Sequence, residues 1–210
     1  MAENGGREAF GEAAAAVLDV VDRLSEDLMT RPGLGSWDVR GLAGHLLRGI
    51  RTPIDYLAMD APESAPIPGA AAYFIRYLEG AERDLGVPAA IAARGDAVLA
   101  GVTALDARRL FHEAVAEAVA VLSATPGDRA LPTAYGVMFL DDYLRARNFE
   151  IVVHGLDLAR AIGTTWRPPD VSALDALALL SEVAVLRAVA GDLLLALTGR
   201  AGITVPPIVA

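Results

Sequence analysis

Five polar side chains recur at helical intervals along one otherwise apolar stretch of this chain: Tyr143, Arg147, Glu150, His154 and Asp157. At about 100° per residue they fall within about 80° of one another on a helix from Leu140 to Ile162. Glu150 and His154 stand one turn apart, so a carboxylate oxygen and an imidazole nitrogen can converge on one ion. A third ligand can come from His45, which lies in a second apolar helical stretch opened by Gly35-Ser36-Trp37-Asp38. Two helices would then supply His, Glu and His to a single metal.

The plain reading of the same spacing is an ion pair on a solvated helix face, with Arg147 set three residues before Glu150 to complete it. The surroundings weigh against it. Leu140, Leu144, Ile151, Leu158 and Ile162 flank the polar seam on one side, and Phe149, Val152, Val153 and Leu156 cover most of the rest. A helix with so little exposed face buries its charges, and buried charges need partners or a metal. Asp157, three residues after His154, reads either as an outer carboxylate that orients the imidazole or as an ordinary helix aspartate. His112 has no ligand at helical spacing and reads as structural. Trp37 reads as a packing anchor. The Gly33-Leu34-Gly35 turn follows a helix rather than a strand, which argues against a phosphate loop.

Composition narrows the chemistry further. The chain has 210 residues, 54% of them hydrophobic, enough for one sizeable core, and a single domain over residues 1–210 is expected. It has no cysteine, which excludes disulfides, thiolate nucleophiles and Cys-ligated metals. All 18 basic residues are arginine, which excludes Schiff-base lysines and a P-loop lysine. That bias, with abundant Ala, Gly, Val and Leu, looks like GC-rich coding and suggests an actinobacterial source. A net charge of −9 with scattered arginines argues against a nucleic-acid surface. The most apolar run, Ala188 to Leu197, is too short to span a bilayer, and Met1 to Gly11 does not resemble a signal sequence. A cytoplasmic protein is expected.

The elements that must position the seam follow from periodicity. Val17, Val20, Val21, Leu24 and Leu28 mark a first helix from about Glu8 to Met29. Ser36 is the expected N-cap of the second helix, whose core stripe is Val39, Leu42, Ala43, Leu46, Leu47 and Ile50. His45 sits beside that stripe with Gly41 and Gly49, where a neighbour could approach closely. Pro62, Pro66, Pro68 and Pro88 break a long crossover into pieces around Tyr73 to Leu85 and Ala89 to Leu99. A third long helix is expected over Ala104 to Ala124, packing through Phe111, Val115, Ala118, Val119 and Leu122. A loop from Pro126 to Met138 leads to the seam helix, capped by Gly163. A last helix, about Ser172 to Thr198, precedes a tail from 199 to 210. No strand pattern is long enough to make a sheet.

The runs Ser36-Trp37-Asp38-Val39-Arg40-Gly41-Leu42-Ala43-Gly44-His45-Leu46 and Asp142-Tyr143-Leu144-Arg145-Ala146-Arg147-Asn148-Phe149-Glu150-Ile151-Val152-Val153-His154-Gly155-Leu156-Asp157-Leu158-Ala159 resemble the metal-binding domain of mycothiol-dependent maleylpyruvate isomerase and its relatives. The resemblance implies an all-α, DinB-like four-helix bundle with a long crossover and an additional C-terminal helix. It implies that His45, Glu150 and His154 hold a divalent metal, usually zinc, with a position open to water or a thiol. Tyr143, Arg147 and Asp157 are the candidates for supporting or substrate contacts. The implied partners are mycothiol or another small thiol and a small electrophile, with a homodimer left open. The isomerase proper carries a further C-terminal domain, for which too few residues follow His154, and this leaves maleylpyruvate itself unsupported as substrate. A metal-binding protein without turnover and a metal-dependent hydrolase use the same three ligands and stand as the rival readings.

Overall fold

The computed structural model describes residues 5–61, 63–64, 66–84 and 86–200, which form helices joined by one short hairpin. The first apolar stripe folds as three pieces, α1 (Gly5–Ala16), α2 (Leu18–Val21) and α3 (Glu26–Met29), not as the one helix expected over Glu8 to Met29. Val17, Val20 and Val21 are β-branched and favour helix weakly. Val20 N–H donates to Val17 O and Leu24 N–H to Val21 O, the tighter i→i+3 pattern of a helix coming to its end. The chain leaves the helix at Ser25, which is extended and donates its hydroxyl to Asp27. Such local bonding competes with helix continuation. Val17, Val20, Val21 and Leu24 are buried all the same, so the stripe marks the core without forming one rod.

α4 (Val39–Leu57) is capped by Asp38 rather than by Ser36: the Asp38 carboxylate accepts Gly41 N–H at 2.8 Å. Gly35 takes a left-handed φ of +60°, and Pro32 and Asp38 pair across the turn, which draws Ser36 into the turn and puts Asp38 at the helix start. The expected stripe of α4 is buried throughout. The crossover forms α5 (Gly69–Arg83) and α6 (Gly86–Val98), close to the predicted pieces, with Pro88 tolerated in the first turn of α6. α7 (Ala104–Ala124) starts and ends where predicted, capped by Thr103, but Val119 is half exposed and not part of the packing face.

The loop expected over Pro126 to Met138 contains an antiparallel hairpin, β1 (Ala130–Thr133) and β2 (Gly136–Phe139), with Thr133 opposite Gly136 and the turn at Ala134-Tyr135. Two four-residue strands, one containing Pro132, are too short for alternation to be recognised. α8 (Leu140–Ala161) carries the polar seam and ends at Gly163, whose φ is +73°. It packs against α1, α4, α5 and α9 (Asp170–Leu186), so its seam lies inside the bundle. The last helix expected over Ser172 to Thr198 divides into α9 and α10 (Ala190–Leu197) at Ala188, which takes φ +58° while Val189 N–H closes on Ala184 O. Of the expected tail, residues 201–210 lie outside the described residues. Among the described residues no helix is long and apolar enough to cross a membrane.

Candidate metal centre

α4 and α6 approach closely because glycines face each other. A Cβ at Gly44 would collide with the Gly95 carbonyl, and one at Gly41 with Asp96 and Trp37. The close approach anticipated beside His45 is therefore real at Gly41, whereas Gly49 faces open space. This packing holds Trp37 between the helices: its Nε1–H donates to Ala92 O at 3.1 Å, and its ring lies 4.7 Å from the His45 ring. Trp37 is thus a packing anchor, and what it anchors is His45. The seam of α8 brings Glu150 and His154 to the same point.

The His45 Nε2 and His154 Nε2 atoms each stand 3.5 Å from Glu150 Oε2. Ligands of a tetrahedral ion held at about 2.1 Å stand about 3.4 Å apart, so the spacing suits a shared cation. Side-chain exposures of 11%, 18% and 17% for His45, Glu150 and His154 place the three donors largely inside the protein. Among the described residues, His45, Glu150 and His154 form a group that could hold a metal ion. Arg147 makes no ion pair with Glu150, contrary to the plain surface reading. His112 is elsewhere, paired with Asp22 at 2.9 Å on an exposed face.

The second ring nitrogens differ. His154 Nδ1 donates to Asp157 Oδ2 at 3.3 Å, which directs Nε2 inward. His45 Nδ1 is buried and has no hydrogen-bond partner, so that ring is oriented by its packing on Trp37, at a 30° tilt, and by Nε2 facing Glu150. Burial alone would lift the Glu150 carboxyl, but bonding to the two imidazoles and the Arg147 charge hold it well below the usual carboxylate range. Burial lowers His45. Burial acts to lower His154 too, yet Asp157 and Glu150 outweigh it and raise the imidazole to about 9.

Beside the three donors lies a cavity of about 200 Å³. Tyr143 and Arg147, singled out in the sequence, line it, and Asp157 stands behind His154 instead. The cavity also collects residues that periodicity did not flag: Arg48 from α4, Tyr73 and Tyr77 from α5, Arg94 from α6 and Tyr135 from the hairpin turn. Arg48 stands one turn after His45 and was open to the same helical reading. Arg94 and Tyr135 arrive only through tertiary packing and left no local signal.

A helical bundle whose central helix and its neighbour focus two imidazoles and a carboxylate on one point, beside a cavity, defines a candidate metal-binding class. The chain belongs to the mycothiol maleylpyruvate isomerase N-terminal domain family, whose model matches residues 10–159 and thus includes all three donors; the family has the DinB-like helical fold. No curated protein and no solved structure matches the chain.

Proposed function

We propose that the protein is a metal-dependent enzyme that uses a low-molecular-weight thiol, mycothiol in the first instance, to transfer to or isomerise a small electrophile. The observation that carries this reading is that all three donors line the cavity. A purely structural centre encloses its ion with protein ligands, whereas a catalytic one keeps a position accessible. His45, Glu150 and His154 would hold the metal, and two neutral imidazoles with one carboxylate suit zinc. Bound there, a divalent cation retains net positive charge and favours a thiol as its thiolate at neutral pH. The chain has no cysteine, so the nucleophile comes from outside. Asp157 fixes the His154 tautomer, Trp37 fixes the His45 ring, and the aromatic walls limit water around the reacting groups.

The test is metal analysis followed by thiol binding. About one divalent metal per chain is expected, lost in His45→Ala and His154→Ala and retained in His112→Ala. Cobalt-substituted protein should change its visible spectrum on addition of mycothiol, and the holo-protein should speed the thiol's consumption by an electrophile. Metal binding without either response would favour a non-catalytic centre. Hydrolysis that needs metal but no thiol would favour the hydrolase.

A further inference from the structure

Arg147 is a buried cation with no direct ion pair among the described residues; the Glu150 carboxylate acts on it only at a distance and faces both imidazoles. It is 7% exposed, its Nε is enclosed without a hydrogen-bond partner, and it takes part in no ion pair. Its neighbours are rings: the guanidinium carbon lies 4.9 Å from the Tyr143 ring centre and 5.8 Å from that of Tyr73. The contrast with Arg145, two residues earlier, is informative. Arg145 faces α9 and is held by Asp175 and Glu182 through bonds of 2.8 Å. The fold supplies carboxylates to one arginine of this helix and withholds them from the other. Taking a charge out of water without a partner is unfavourable, and it persists in a cavity where a ligand completes the pair.

Two more cations share that cavity. Arg48 and Arg94 line it and have no ion pair with any described residue. Glu150 is the one carboxylate among the lining residues, and both imidazoles already face it. In a chain of net charge −9, three guanidiniums against one committed carboxylate make a local field of the opposite sign. The walls are aromatic, with Tyr73, Tyr135 and Tyr143 meeting ring to ring at 5.3 and 5.8 Å. Such walls favour a flat ring over a hydrated ion. The planar fork of Arg147 matches a carboxylate.

We propose that the cavity beside the candidate metal centre is a binding site for a small aromatic carboxylate, with its acid group on Arg147, its ring among the tyrosines, and Arg48 and Arg94 drawing it in. This rests on reading the cavity as the substrate side of the metal centre, and it gives the substrate of the proposed reaction an aromatic carboxylate as its recognition group, the reacting carbon lying elsewhere on the molecule. Phosphate is another anion that arginines commonly bind. A phosphate site would draw on backbone amides of a glycine-rich loop or a helix N-terminus. Most residues around this cavity are side chains of helix interiors and the hairpin turn, while Leu34 and Trp37 reach it from the loop before α4 and Pro88, which has no N–H to offer, from the first turn of α6, so phosphate is compared directly in the test.

The test uses benzoate as probe, followed by calorimetry on the full chain, metal-loaded and metal-free, with benzyl alcohol and inorganic phosphate as comparisons. Benzoate is expected to bind both forms. Arg147→Gln should weaken it about ten- to a hundredfold, the loss of a charge-assisted bond, while metal content stays at the wild-type value. Arg94→Gln, at an exposed position, should weaken it less and guards against misfolding of the buried variant. Benzyl alcohol and phosphate should both bind more weakly than benzoate. Benzoate binding that vanishes with the metal, or survives Arg147→Gln, would place the acid on the ion and overturn the proposal. Equal binding of benzyl alcohol or of phosphate would overturn it as well. Absence of benzoate binding in a protein that still takes up metal defeats this inference alone, whereas loss of metal uptake with benzoate binding intact defeats the metal reading alone.

Discussion

At the scale of the residue, the centre depends on how each imidazole is aimed. Asp157 accepts the His154 Nδ1 proton and so directs Nε2 toward Glu150 and His45. Asp157→Asn should therefore retain the fold and weaken metal affinity about ten- to a hundredfold, the usual effect of losing an outer carboxylate; competition against a chelating dye measures it. The same contact sets a pH dependence in metal-free protein. His154 is raised from 6.5 to about 9, so its bonding contributes fully to stability below pH 6.5 and that contribution is lost as pH rises through 9. The Tm difference between metal-free wild type and metal-free Asp157→Asn should accordingly shrink from pH 6.5 to 9.5. A difference that widens over that range would mean that the two side chains are not coupled. These residues were legible in the sequence because a helix repeats every 3.6 residues, and Tyr143, Arg147, Glu150, His154 and Asp157 keep that register. Trp37 was legible only as an anchor, since what it stacks on depends on α6.

At the scale of the element, α4 keeps His45 in place through its contact with α6. Gly44→Ala would gain about 1 kcal/mol of helix propensity, but the added methyl meets the Gly95 carbonyl, and overpacking of this kind costs about 1–3 kcal/mol. The clash outweighs the propensity. Gly44→Ala should lower Tm and loosen metal binding together, because α6 and Trp37 must move; an unchanged Tm would mean that the contact is soft. The opposite sign is expected at the break between α9 and α10. Ala188 takes a conformation that costs an L-residue with a side chain about 1–2 kcal/mol, so Ala188→Gly should raise thermal stability, offset in part by the greater freedom of glycine in the unfolded chain. The sequence marks the start of α7 and the end of α8 well because Thr103, with its side-chain cap, and Gly163 are strong start and stop signals respectively. It does not mark the break after Val21, where no glycine or proline interrupts the apolar period, nor the one at Ala188, where the nearest glycine, Gly191, falls beyond the break and inside α10. The hairpin escaped for the related reason that its strands are shorter than the period-two pattern needs.

At the scale of the whole molecule, the donors lie on α4 and α8, and both helices are already locked by apolar packing. The buried apolar set runs continuously from Phe10 and Val17 through Leu42, Phe74 and Phe111 to Leu144 and Leu179, so the packing of both helices rests on apolar side chains rather than on the three candidate donors. The all-helical class was readable from these stripes because burial, not the centre, decides where the helices go. Removing the metal should therefore leave the helical circular dichroism intact and lower Tm. At a free metal concentration about 1,000 times Kd, linkage gives about 4.1 kcal/mol. At about 2–4 °C per kcal/mol for a domain of this size, that is a fall of about 8–16 °C on chelation, reversed by adding metal back. The ion then serves a preformed site. A chain that instead loses its helical signal when chelated would have its bundle braced by the metal, and the case for an accessible, working centre would lose its footing, because a centre required for folding is explained without any chemistry at the cavity.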